Sequence, residues 1–385
     1  MISYKSKQLD NLEVTDAAEE AFKKQQITLE EFNNLRALYP VELYRPNPYV
    51  RIGLFILTLV AVFFAFGLFC LIFASGGSES AFGGLTFFFG LLTYGGIEFM
   101  IHENRHYKSG VDTALMWMSG CAFVGAMVLW TDRLNIGPLP YSIIITLIAT
   151  FFVLRFADAL MSIIAFLSLL AAFFFAFEHA GRMVIPFLVM AVSFAVYFGA
   201  TKLSKIYTYR HYLSCLQVIQ VVSLITLYLG GNYFVVREVS NEMFDLDLKE
   251  GQSIPGAIIF WIFTVIIPPI YLYFGIKNKD RILIRTGLLL FAGIVFTVRY
   301  YHSIAPLEVA MTLGGVVLIA VAYTLTKWLQ PAKHGFTSEQ TDEDKEDAIQ
   351  LESLIIAQTF SHQQQPDGFK FGEGTGAGGG ATGEF

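Results

Sequence analysis

The chain has 385 residues, of which 55% are hydrophobic and only 15% charged, and its formal net charge is −6. That balance lies well to the apolar side of soluble domains, and it excludes a nucleic-acid binder, which needs a basic surface. Three cysteines, two of them inside apolar segments (Cys70 and Cys121) and one at the head of another (Cys215), exclude a disulfide framework. The charges gather toward the two ends, so the middle of the chain is expected to cross a lipid bilayer and the ends to be wet.

Residues 1–50 read as a helical hairpin on the cytoplasmic side. Its second helix carries a full start signal, with Thr28 as N-cap, Glu31 closing a capping box and Ile27 placed to staple against Phe32. Leu29, Phe32, Leu35 and Tyr39 mark one apolar stripe before Pro40 stops the helix. Such a piece is too small to hold a core alone and is expected to pack on the membrane domain, a partner or the membrane surface.

Residues 51–330 form the membrane domain. A ruler of about 20 apolar residues per crossing places spans near 52–74, 81–101, 111–130, 138–154, 157–177, 184–200, 213–234, 254–276, 282–298 and 305–328. The fourth and fifth are separated only by Arg155, Phe156, Ala157 and Asp158, which predicts a tight hairpin. Lys and Arg cluster in alternate connections: Arg45, Arg51, Arg105, Lys108, Arg155, Lys202, Lys205, Arg210, Lys277, Lys279, Arg281, Lys327 and Lys333. By the positive-inside rule both termini are cytoplasmic. Asn232 to Ser253 is expected to be a solvated acidic loop on the other side. Residues 331–360 turn acidic and offer a short amphipathic helix, and 361–385 form a glycine-rich tail expected to be disordered.

Between the second and third spans, His102-Glu103-Asn104-Arg105-His106 spells H-E-x-x-H. On a continuous helix the two histidines share a face and can hold zinc, with Glu103 as general base on a metal-bound water. The nearest third ligand is Asp112. The competing reading makes His102, Glu103, Arg105, His106 and Lys108 interface residues, with Ser109 as N-cap and Asp112 at N3 of the third span. Glu98, inside the apolar stretch, stands four residues before His102 and eight before His106, so the three are a candidate proton-relay face. The alternative is that Glu98 pairs with Arg155 or Arg285 and fixes packing. Gln217 and Gln220 in the seventh span, with the Pro268-Pro269 break in the eighth, are candidates for a transporter cavity. Glu178, His179, Arg182, Arg299, His302 and Glu308 lie near span ends on the other side, where they are candidates for the mouth of an anionic-solute site.

The small helical piece ending in "NPYVRIGLFILTLVAVF", followed by about ten spans, resembles the uncharacterised multi-pass membrane proteins of bacteria gathered in domain-of-unknown-function families. Glu103, Tyr107, Ser109, Gly110 and Asp112 look like the polar turn that such proteins place between their second and third spans. The resemblance covers most of the chain through Trp328 and implies no activity. The glycine-rich end closing on Phe385 is similar to tails on other bacterial membrane proteins.

The expectation is therefore an all-α polytopic protein of the bacterial inner membrane, with about ten spans. Its expected role is non-enzymatic and without a cofactor: transport of a small solute, or an envelope scaffold or sensor whose C-terminal tail recruits a protein partner. A membrane-embedded zinc metalloprotease using His102, His106 and Asp112 is the alternative, and zinc enters only there. No nucleotide-binding loop is present to drive a pump.

Overall fold

The computed structural model describes residues 2–73, 79–134, 136–178, 181, 183–244, 252–302 and 307–328. These form thirteen α-helices and, among the described residues, no strand: α1 (Ser6–Lys23), α2 (Leu29–Leu38), α3 (Pro48–Phe73), α4 (Glu79–His102), α5 (Val111–Thr131), α6 (Pro138–Phe156), α7 (Ala159–Ala176), α8 (Val184–Leu203), α9 (Leu213–Gly231), α10 (Tyr233–Phe244), α11 (Ala257–Asn278), α12 (Arg281–His302) and α13 (Leu307–Trp328). Nine of them, α3 to α9 with α11 and α12, are long and apolar enough to cross a membrane. The chain is an all-α, multi-pass membrane protein. The tenth expected span coincides with α13. By contact the chain divides into a unit of residues 1–317 and a unit of residues 318–385, and the described part of the second is the end of α13. The acidic segment, its short helix and the glycine-rich tail lie outside the described residues.

Within the first unit, short connections make antiparallel pairs of α4 with α5, α6 with α7, α8 with α9 and α11 with α12. Lipid gives no hydrophobic drive for this pairing, so close approach and hydrogen bonds must supply it. Gly90 of α4 shows how: a Cβ there would lie 3.0 Å from the Phe123 ring, and its carbonyl accepts from Ser119 Oγ of α5 at 3.0 Å. The α6–α7 hairpin turns at Ala157, with φ of +50°, and Asp158 caps α7 by accepting from Met161 N at 2.9 Å. The helix α3 leaves its whole apolar window unburied, as a span facing lipid on most sides does.

Two features differ from expectation. Residues 233–244 form the helix α10 where a solvated loop was expected. Tyr233, Val236, Arg237 and Ser240 recur every three or four residues and are buried, which is the pattern of an amphipathic helix. The Pro268-Pro269 pair does not break its span either. Helix α11 runs through both, with Pro268 buried and Pro269 exposed, since neighbouring helices in a bundle can re-satisfy the freed carbonyls.

The N-terminal segment holds α1 and α2, and α2 opens on a complete capping box. Thr28 Oγ1 accepts from Glu31 N at 3.3 Å and Glu31 Oε2 accepts from Thr28 N at 2.8 Å. Phe32 stacks on Phe22 of α1 with ring centroids 5.3 Å apart, whereas Leu29 and Tyr39 remain exposed. Helix α1 and its lead-in pack on the spans: Tyr4 and Leu9 belong to the same buried cluster as Ile97, Met116, Phe152 and Met161.

Candidate functional site

The last turns of α4 place Tyr94, Glu98 and His102 on one helical face, and that face meets the C-terminal end of α6. Arg155, in the last turn of α6, donates from Nε to Glu98 Oε1 at 2.7 Å and from Nη2 to Oε2 at 2.9 Å. Tyr94 OH donates to Oε1 at 2.9 Å, and His102 Nε2 lies 3.1 Å from Oε2. The chain's own start completes the site. Ser3 Oγ donates to Glu98 Oε2 at 2.8 Å, and Ser3 N donates to the carbonyl of Arg155 at 2.8 Å. That second bond satisfies one of the carbonyls that a helix end leaves open. The carboxylate thus has partners on both oxygens, and its forked pairing with Arg155 is the strong kind.

Around this hub the hairpin is tied down at several points. Asp10 accepts from Arg210 Nε at 3.1 Å and lies 3.4 Å from His211 Nε2. Glu42 pairs with Arg105, and Tyr44 exchanges backbone hydrogen bonds with Arg105 and Tyr107. Tyr4 meets Tyr107 edge to face at 4.9 Å. Burial, with Asp112 nearby, pushes the Tyr4 phenol well above its ordinary value.

The zinc reading needs His102 and His106 on one helix, and they are not. Helix α4 ends at His102, and Arg105 and Lys108 take positive φ values of +54° and +47°. Tyr44 draws residues 105–107 into a short extended pairing, which competes with continuation of the helix. His106 therefore leaves the Glu98 face. Its Nδ1 is 2.7 Å from Ser109 Oγ, its ring packs against Tyr44 at 4.9 Å, and burial lowers its pKa from the ordinary value. The proton-relay face reduces to Glu98 and His102. Asp112 is buried and one of its oxygens is heavily engaged, Oδ1 accepting from Ser109 N and Thr113 N at 2.9 Å and from Gly110 N and Ser109 Oγ at 3.1 Å. The cap is shifted from expectation by one residue, with Gly110 as N-cap at φ +96°. A side chain there is barred because a Cβ would sit 2.2 Å from the Arg51 carbonyl oxygen. Among the described residues no group of three His, Cys, Asp or Glu side chains is placed to hold a metal.

Gln217 is exposed, Gln220 is buried and donates to Ser204 Oγ at 3.3 Å, and Pro268 and Pro269 lie within α11. A cavity of about 400 Å³ between α7, α8, α9 and α10 is walled by apolar residues such as Phe175, Pro186 and Val236, and by none of these four. Of the expected mouth on the other side, His179 and Arg182 and the side chains of His302 and Glu308 lie outside what is described. A buried network stands near there instead: Asn232 Nδ2 donates to Tyr228 OH at 3.0 Å and to Thr297 Oγ1 at 2.9 Å. Sequence reasoning missed this network and the role of Ser3. Tyr94, one turn before Glu98, was the available signal for the hub. No family model, curated protein or solved structure matches this chain.

Proposed function

We propose that the chain is a non-enzymatic scaffold or sensor of the bacterial inner membrane, with both termini cytoplasmic. The observation that carries this reading is the Glu98 hub, in which residue 3 of the N-terminal segment and the ends of two spans share one carboxylate. An intramembrane carboxylate is a functional candidate by default. Here it is engaged on both oxygens by Arg155, Ser3, Tyr94 and His102, and Gln217 is exposed. That geometry suits a docking point that reports whether the hairpin is seated, and it disfavours carriage of a small solute. The excess of Lys and Arg at this end of the bundle supports its assignment to the cytoplasm. The C-terminal tail is assigned the recruitment of a protein partner.

The test is purification of the full chain from its native membrane in mild detergent, beside a version lacking residues 337–385. The proposal expects a stoichiometric partner with the full chain and its loss from the truncated one, with the spans still folded. A full-length chain that purifies alone, or one that carries a solute into proteoliposomes, contradicts it.

A further inference from the structure

A second cavity, of about 390 Å³, opens at the same end of the bundle and is lined by cationic and apolar groups from four parts of the chain. Asp16 comes from α1, Arg45 from the linker, Pro48 and Arg51 from the first turn of α3, and Tyr107 and Lys108 from the α4–α5 connection. Three cations thus face one carboxylate. Arg45 already satisfies that carboxylate, donating from Nη1 to both Asp16 oxygens at 2.9 and 2.7 Å. Arg51 and Lys108 have no acidic partner among the described residues, and Lys108 rests over the Tyr107 ring at 5.5 Å. The pocket therefore carries two uncompensated positive charges.

Its position says what kind of anion it suits. The membrane-crossing window of α3 begins at Pro48, and beyond Arg51 the helix presents Ile52, Ile56, Leu57 and Val60, all exposed, with nothing of the window buried. The cations thus sit at headgroup level directly beside a bare apolar strip. A soluble phosphate would use only the upper half of that arrangement, whereas a diacyl lipid uses both. The volume lies within the range of small-molecule sites, and juxtamembrane basic groups are drawn to anionic lipid.

We propose that this pocket binds the phosphate of one anionic phospholipid through Arg51 and Lys108, with the acyl chains lying along α3. The site is independent of the scaffold or sensor role. The experiment is native mass spectrometry of the full chain in mild detergent, titrated with phosphatidylglycerol or phosphatidylcholine, for wild type, R51Q/K108Q and K205Q. Wild type retains one phosphatidylglycerol in preference to phosphatidylcholine. The double variant loses that preference by about 25-fold, taking roughly fivefold for each cation near anionic lipid. K205Q, which removes an exposed cation of another connection, changes it by less than about twofold. If the double variant does not fold, R51Q and K108Q separately should each lose about fivefold, and R51K/K108R should restore most of the preference. Equal lipid preference in wild type and the pocket variants overturns the proposal. Displacement of the bound lipid by inorganic phosphate at matching concentration also overturns it, because the pocket would then select a free anion.

Discussion

Arg155→Met removes the guanidinium that makes both hydrogen bonds to Glu98 while keeping an unbranched apolar stem. The two side chains are 30% and 19% exposed. The pair therefore lies between exposed ion pairs, worth about 0–1 kcal/mol, and buried ones, whose rupture costs about 3–5 kcal/mol. A cost of about 2 kcal/mol is expected for the single variant, because Glu98 keeps Tyr94 and Ser3 as donors but loses its countercharge. Glu98→Gln leaves the guanidinium without its carboxylate and costs a similar amount. The double variant leaves neither charge stranded, so its cost falls short of the sum by about 1–2 kcal/mol. The assay is unfolding of the four proteins by titration of a denaturing detergent into a fixed mild one. Costs that add to within about 0.5 kcal/mol would refute the reasoning, since they would mean that the two groups do not interact.

Gly110→Ala is expected to cost at least about 3 kcal/mol, combining the left-handed penalty of an alanine at φ +96° with a Cβ driven into the Arg51 carbonyl; a melting midpoint equal to wild type would show that the loop does not press on α3. Asp112→Ala strands the amides of Ser109, Gly110 and Thr113 and should cost about 3 kcal/mol, while Asp112→Asn, which keeps an acceptor oxygen, should cost less than half of that. Equal damage from the two variants would argue against the capping role. The His106 imidazole is held below its ordinary value by burial, so the unfolded chain takes up the proton first as pH falls below about 6.5. Stability is thus fully present above that pH and is lost as pH falls toward the folded value. Melting midpoints at pH 7.5 and 5.5 should fall further apart for wild type than for His106→Gln, and identical differences would contradict the assignment.

The spans were legible because length and hydropathy in a bilayer are set by one dimension, and each predicted segment coincides with a helix to within a few residues. The capping box of α2 was equally plain, being a local pattern with a local cause. What escaped the sequence depends on partners far away in the chain. H-E-x-x-H has helical spacing, but Tyr44 competes for the backbone of residues 105–107, and nothing near the motif announces that. The amphipathic period of α10 was present in Tyr233, Val236 and Ser240, yet the acidic residues around it suggested solvent. Arg155 was foreseen as a partner for Glu98, whereas Ser3 was not, since a serine at the start of a chain carries no signal that it will be buried against a span.

Hydrogen exchange at residues 2–12 of the wild-type chain, reconstituted in lipid nanodiscs, tests the seating of the N-terminal segment most directly. The Ser3 amide bonded to Arg155 and the Leu9 amide bonded within α1 should exchange at least about 100-fold slower than an unstructured chain. In Arg155→Met that protection should drop by roughly 30-fold, the equivalent of about 2 kcal/mol. Exchange at unstructured rates across residues 2–12 in wild type, with the spans still protected, would contradict the account.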